Sequence, residues 1–149
     1  MAIDVAAERE IPAARDRVAA YAMDPTNDPV WIGGIREANW VTEPPLRVGS
    51  RVERIASFLG RRIEYVLEVA ELEPGARLRM VSVKSPFPMT VTYRFQDAGA
   101  SATLARIRVE GEPGGFYGLA SPLMARAVRR SVTGDLRRLA GLMEDAAGP

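Results

Sequence analysis

Alternating apolar and polar positions open the chain. In the segment IDVAAEREI only Arg9 interrupts the apolar side of the alternation. A period of two residues is typical of a half-buried strand. The pattern therefore predicts an opening strand, whose apolar positions are Ile3, Val5, Ala7 and Ile11.

A helix-forming segment, IPAARDRVAAYAMDP, comes next. A proline stands near its start, good helix formers continue through Ala22, and Asp24-Pro25 stops the helix. We predict a short helix that packs through Val18 and either Tyr21 or Ala22.

Residues 35–111 alternate in runs that are separated by turn signals. Because the runs are so closely spaced, they predict an antiparallel meander. The turn signals lie at Pro44-Pro45, Leu59-Gly60, Pro74-Gly75, 85–88 and 97–99.

The apolar period then becomes helical, from about residue 116 to residue 144. One long amphipathic helix is predicted, because apolar residues recur three or four positions apart. The stripe consists of Met124, Val128, Val132, Leu136, Leu139 and Met143.

These elements predict one α+β domain over residues 1–149. Both apolar surfaces are buried if the apolar stripe of the long helix packs across the apolar face of the sheet. A sheet of six or seven strands curls as it twists, and a straight helix does not fill the whole concavity. We therefore expect a cavity between sheet and helix.

Turn lengths predict which side chains face that cavity, because a one-residue slip moves a whole strand to its other face. A two-residue turn at Leu59-Gly60 places Phe58 opposite Arg61 and Arg51 opposite Glu68. A two-residue turn at Pro74-Gly75 places Lys84 opposite Tyr65. The remaining predicted pairs are Ile55 with Glu64, Met80 with Val69 and Ser82 with Leu67.

A three-residue turn after Gln96 is predicted to place the last strand on the same interior. Its inward residues would then be Thr103, Ala105, Ile107 and Val109, and its outward residues Arg106, Arg108 and Glu110.

These registers bring a polar set to the concave side: Arg54, Tyr65, Ser82, Lys84 and Tyr93. Buried polar groups need partners, since each unpaired group costs about 1–3 kcal/mol. Arg54 either lies at a bulge or reaches the rim of the sheet, or it anchors a carboxylate, phenolate or enolate of an apolar ligand. The tyrosines are either amphipathic core residues or hydrogen-bond donors and proton relays.

The segment MDPTNDPVWIGGI contains two prolines, two glycines and one of the two tryptophans. Asp28 before Pro29 is typical of a helix N-cap followed by the first helical position. We predict a second short helix there, with Trp31 either plugging the core or lining the cavity mouth.

Composition excludes several kinds of chemistry. The chain has no cysteine and no histidine, so it lacks thiol nucleophiles, Ser-His pairs and Cys or His zinc ligands. Its net charge of +1 gives no overall attraction to nucleic acid. No segment has the roughly 20 apolar residues that a membrane span needs. We therefore expect a cytoplasmic protein without a metal or cofactor.

Taken together, this order of elements resembles the START-like SRPBCC superfamily, in particular its polyketide cyclase/dehydrase-type branch. The matching segments are REIPAARDRVAAYAMDP, DPVWIGGI, VGSRVER, LEVAELEPGARL, YRFQDAGASATLARIRVEGEPGGFYGLASPLMARAVRRSV and DLRRLAGLMED. The resemblance implies a helix-grip fold, in which a curved antiparallel sheet of six to seven strands wraps around a long C-terminal helix. Two short helices would follow the first strand.

The predicted cavity and the absence of catalytic dyads carry the functional hypotheses. The leading hypothesis is binding, sequestration or transport of a small apolar ligand, such as a lipid, polyketide or aromatic metabolite. The alternatives are a polyketide cyclase/dehydrase-type enzyme, with Arg54, Tyr65 and Tyr93 as catalytic candidates, and a protein-binding adaptor. A homodimer or another protein partner is left open. The candidate ligand-binding residues are Trp31, Arg54, Tyr65, Met80, Ser82, Met89, Tyr93, Ile107, Tyr117, Met124 and Val128.

Overall fold

A computed structural model of the chain describes residues 3–111 and 121–147. The strands are β1 (Ile3–Ile11), β2 (Ile35–Trp40), β3 (Arg51–Phe58), β4 (Arg61–Glu73), β5 (Arg77–Lys84), β6 (Met89–Asp97) and β7 (Thr103–Gly111). The helices are α1 (Arg15–Ala22), a 3-10 turn (Pro25–Asn27), α2 (Asp28–Trp31) and α3 (Ser121–Ala147).

The strands form one antiparallel sheet in the order β1-β7-β6-β5-β4-β3-β2. The sheet curls, and α3 packs on its inner side, mainly along β1. The two short helices α1 and α2 lie between β1 and β2 in the chain. The predicted α+β helix-grip fold is confirmed.

The apolar stripe of α3 supplies much of the core. Met124, Val132, Leu136, Leu139 and Met143 are buried as predicted, and Val128 is half-buried. Burial of one such side chain stabilises the fold by roughly 1.5–3 kcal/mol. The predicted helical residues 116–120 lie outside the described residues.

The register between β3 and β4 is confirmed. Phe58 pairs with Arg61 and Arg51 with Glu68, and Arg51 Nε donates to Glu68 Oε1 over 2.9 Å. Leu59 and Gly60 have φ values of 49° and 76°. Positive φ at both turn residues is the geometry that two-residue hairpins prefer, because it matches the twist of the flanking strands.

The register between β4 and β5 agrees with the prediction only in part. Val69 pairs with Met80 and Leu67 with Ser82, as predicted, but Glu73 pairs with Arg77, so the loop has three residues instead of two. A bulge between Val69 and Glu71 absorbs the extra residue.

The predicted position of Lys84 is wrong for a similar reason. A second irregularity at the end of this pairing sets Lys84 opposite Val66 instead of Tyr65. The Lys84 side chain is exposed and does not face the concave side.

The hairpin between β6 and β7 has the predicted faces but a longer loop. Asp97 pairs with Thr103, so five residues connect the strands instead of three. Because both lengths are odd, the same side chains point inward. Thr103, Ala105 and Ile107 are buried, while Val109 is half-buried.

The N-cap prediction for Asp28 is also wrong. Helix α2 begins at Asp28, its N-cap is Asn27, and no side chain among the described residues caps it. It is Asp24 that caps the preceding 3-10 turn, since its carboxylate accepts a hydrogen bond from the Thr26 amide at 3.0 Å. Asp28 is instead buried, and its carboxylate faces the interior of the fold.

Candidate functional site

A cavity of about 180 Å³ lies between the inner face of the sheet, α2 and α3. It exists because the curl of the sheet carries β3 and β4 away from the straight helix. Most of its wall is apolar. Representative wall residues are Ile63, Val91, Ile107, Met124, Val128 and Val132.

Arg54, which lines one side of this cavity, belongs to a buried ion pair. Arg54 is an inward residue of β3, and its Nε and Nη2 atoms lie 3.0 and 2.9 Å from Asp28 Oδ2. Only 5 % of the Arg54 side chain and 4 % of the Asp28 side chain are exposed. The predicted bulge or rim position for Arg54 is therefore wrong, since Asp28 satisfies its charge inside the fold.

Burial and charge act against each other on this pair. Burial raises the pKa of Asp28 above its usual value, although the Arg54 guanidinium opposes the shift. Burial alone would lower the pKa of Arg54, but Asp28, Tyr93 and Tyr65 together outweigh burial and raise that pKa. The guanidinium therefore stays charged at every physiological pH.

Tyr93 extends the polar side of the cavity. Its hydroxyl oxygen accepts a hydrogen bond from Arg54 Nη2 at 2.9 Å, and within residues 3–111 and 121–147 no acceptor takes the hydroxyl hydrogen. Burial raises the pKa of Tyr93 and also that of Tyr65, which faces Arg54 from β4. Both phenols therefore remain protonated at neutral pH, and each keeps a hydroxyl hydrogen that it can donate.

Trp31 is fully buried and also forms part of the cavity wall, so it combines both predicted positions. Its ring meets that of Tyr93 edge to face, with centroids 5.6 Å apart. Its Nε1 hydrogen has no acceptor in the described part of the chain. The edge-to-face packing of the indole fixes the orientation of the Tyr93 ring.

Asp135 is a site residue that the sequence reasoning missed. It lies in the cavity wall, accepts a hydrogen bond from the Gly33 amide at 3.0 Å and pairs with Arg138. Arg138 Nε also donates to the Trp31 carbonyl at 3.0 Å. These contacts tie α3 to the segment that follows α2. The signal was present in the sequence, because Asp135 stands three residues after Val132 and four before Leu139, on the apolar stripe.

The pH dependence of stability is expected to report on Asp135. Burial raises its pKa above 3.8, while the Gly33 amide and Arg138 oppose the shift. In the pH interval between the unfolded and folded pKa values the folded state binds more protons, so stability falls as pH rises through it. In Asp135→Asn this fall should be smaller. Urea unfolding of both proteins from acidic to neutral pH measures the difference, and parallel pH profiles would contradict it.

The structure brings most of the candidate ligand-binding residues to one cavity. Met80 and Ser82 do not line it: Met80 is buried in the core, and Ser82 Oγ accepts a hydrogen bond from the Met89 amide at 2.9 Å. Tyr117 lies outside the described residues. The cavity wall contains Trp31, Arg54, Tyr65, Met89, Tyr93, Ile107, Met124 and Val128.

A second, larger hollow of about 710 Å³ is a surface groove near α1. Its wall includes Trp40, Leu46 and Leu72, together with the carboxylates Asp16 and Asp24. It is separate from the buried polar side chains described above, so we take the smaller cavity as the candidate site.

Among the described residues, no group of three or more acidic side chains could hold a metal ion. No helix in the described ranges is long and apolar enough to cross a membrane.

Solved structures with the same fold cover nearly the whole chain. An aromatase/cyclase, Zhui from Streptomyces sp. R1128, is 15 % identical, with 100 % of both chains covered and a TM-score of 0.84. A START superfamily protein from Mycobacterium smegmatis is 14 % identical, with 97 % of this chain and 99 % of that chain covered and a TM-score of 0.81. The protein TTHA0849 from Thermus thermophilus is 22 % identical, with the same coverage and a TM-score of 0.79. At these identities the likeness shows the fold alone.

No curated protein matches the sequence significantly. Residues 2–144, however, match the family described as polyketide cyclase / dehydrase and lipid transport. The START-like resemblance is therefore confirmed, and the chain belongs to the polyketide cyclase/dehydrase and lipid transport family.

Proposed function

We propose that the chain binds a small, largely apolar molecule with one hydrogen-bond acceptor, and sequesters, carries or presents it. The observation that carries this proposal is the cavity itself. It is apolar over most of its wall, and its polar side includes the Tyr93 hydroxyl, which is held by Arg54. Small-molecule sites are typically apolar cavities with a small number of polar groups, which fix the orientation of the ligand.

Charge pairing selects a neutral ligand. Asp28 neutralises Arg54 from 2.9 Å, and Asp135 adds a further carboxyl group to the wall. An anionic ligand would have to displace Asp28 or lie close to Asp135, and both cost electrostatic energy in a buried site. The Tyr93 hydroxyl instead offers its hydrogen to a neutral carbonyl oxygen. We therefore favour a ketone, ester or amide over a carboxylate.

The volume sets the size of what fits inside. About 180 Å³ is comparable with a protein cavity of about 150 Å³ that binds benzene. A single ring or a short acyl segment therefore suits the enclosed space.

Acetophenone and ethylbenzene test the polar contact, because they have similar shapes and only acetophenone carries a carbonyl oxygen. In Tyr93→Phe the affinity for acetophenone is expected to fall about twofold to tenfold, the value of one hydrogen bond, while that for ethylbenzene stays unchanged. NMR titration of the isotope-labelled protein measures both dissociation constants.

Tyr21→Phe is the matched control, since Tyr21 is half-buried and does not line the cavity. An equal loss for both ligands in Tyr93→Phe would rule out the proposed hydrogen bond. Failure of the unmodified protein to bind either ligand would rule out the cavity as a binding site.

One observation favours a second candidate, an enzyme that cyclises or dehydrates a poly-β-ketone. Tyr93 and Asp135 line the same cavity, so a substrate carbonyl on the Tyr93 hydroxyl would lie near a carboxylate with a raised pKa. A raised pKa makes a carboxylate a better base for removing a proton next to that carbonyl. Mass spectrometry of a linear poly-β-ketone incubated with the protein tests this. Unchanged turnover in Asp135→Asn and Tyr93→Phe would exclude those roles.

A further inference from the structure

The outer face of the sheet carries a second cluster of charged residues, which we call the arginine cup. Its volume is about 180 Å³. Side chains alternate between the two faces of a strand, so Tyr93 points into the fold and Arg94 points away from it. The cup therefore lies across the sheet from most of the ligand cavity, and Glu110 near the end of β7 borders both. Its wall consists of Arg77, Arg79, Thr92, Arg94, Arg106, Arg108 and Glu110.

Strand register places like charges side by side in the cup. Arg94 of β6 pairs with Arg77 of β5 on one side and with Arg106 of β7 on the other. Adjacent strands lie about 4.8 Å apart, and like charges directly opposite each other are destabilising. Arg94 thus has an arginine neighbour on each side.

Among the described residues, acidic side chains form ion pairs with arginines of the cup only at its edges. Glu71 pairs with Arg77 at 2.9 Å, and Asp4 pairs with Arg108 at 2.7 Å. In the described part of the chain Arg94 forms no ion pair, nor do its neighbours Arg79 and Arg106. Unsatisfied positive charge is therefore present on all three strands of the cup, with Arg94 on the middle strand.

One polar atom in the wall also lacks a partner. Arg77 Nε is buried, and no acceptor for it lies within the described residues. A buried donor without an acceptor is costly, and an oxyanion in the cup would bring negative charge close to this guanidinium.

We propose that the arginine cup binds a small dianionic oxyanion, either phosphate or a phosphate monoester. Guanidinium groups match the oxygen geometry of phosphate and bind it through paired hydrogen bonds. The flanking strands decide the size of the occupant. Register places Glu8 of β1 opposite Arg106 and Glu71 of β4 opposite Arg79, so acidic residues border the arginines on both sides. These borders repel an extended polyanion and leave room for a compact anion at the centre.

NMR titration with inorganic phosphate tests the proposal, at constant ionic strength against chloride and near pH 8, where both inorganic phosphate and a phosphate monoester are mostly dianionic. Saturable shifts are expected at the Arg94 and Arg106 amides. A second titration with glycerol 3-phosphate distinguishes the two sources: tighter binding of the ester indicates an esterified phosphate, and equal binding indicates a free oxyanion.

Arg94→Gln is expected to lower the phosphate affinity at least about tenfold, because it removes the central charged donor. It should also raise the melting temperature in chloride, since it removes two like-charge neighbours. Arg129→Gln is the matched control, an exposed arginine of α3 far from the cup. Shifts that do not saturate, or equal phosphate affinity in the Arg94 and Arg129 variants, would overturn the proposal.

Discussion

Replacement of Asp28 by alanine is expected to lower the free energy of unfolding by about 3–5 kcal/mol at neutral pH. The substitution removes the carboxylate oxygen that lies 2.9 Å from Arg54 Nη2. The guanidinium stays buried, since only 5 % of the Arg54 side chain is exposed. Arg54 cannot escape the cost by losing its proton, because a guanidinium does not deprotonate in proteins. Urea unfolding monitored by circular dichroism measures the loss.

Two further variants separate the charge effect from a general loss of packing. Asp16→Ala removes a carboxylate that is 89 % exposed and should leave stability nearly unchanged. The double variant Asp28→Ala/Arg54→Met removes both charges and should be more stable than Asp28→Ala alone. If Asp28→Ala lost no more stability than Asp16→Ala, the buried ion pair would not be part of the fold.

Filling the cavity is expected to abolish most ligand binding. Val128 lies in the cavity wall on α3, and Val128→Phe places a ring in the space proposed for the ligand. The affinity for acetophenone should fall at least about tenfold, which corresponds to about 1.4 kcal/mol. The matched control is Leu123→Phe on the same helix, where the side chain is 66 % exposed. Unchanged affinity in a folded Val128→Phe protein would place the ligand elsewhere.

Local sequence signals predicted the strand faces better than the strand partners. The two-residue turn at Leu59-Gly60 fixed β3 against β4, because turn chemistry and register are coupled over a few residues. At Pro74-Gly75 the loop is one residue longer, and the bulge between Val69 and Glu71 restores the pairing. Bulges of this kind depend on packing against the rest of the fold, so the pattern of β4 alone did not reveal where Lys84 would lie.

The candidate site could be predicted only in part, for the same physical reason. Alternation along β3 and β6 placed Arg54 and Tyr93 on the inner face. The partner of Arg54 is Asp28, 26 residues away, in a helix whose local signals resembled an N-cap. A long-range contact of this kind follows from how the elements dock. By contrast, the helical period could have revealed Asp135, since this residue interrupts the apolar stripe of α3.

Intermolecular nuclear Overhauser effects between acetophenone and the methyl groups of the isotope-labelled protein test the ligand cavity most directly. Contacts are expected from the ring protons to the methyl groups of Val91, Ile107 and Val128, which line the cavity. The carbonyl end of acetophenone should lie toward Tyr93. Contacts to Leu46 and Leu72 in the surface groove, or no contacts at a saturating concentration, would contradict a binding site between the sheet and α3.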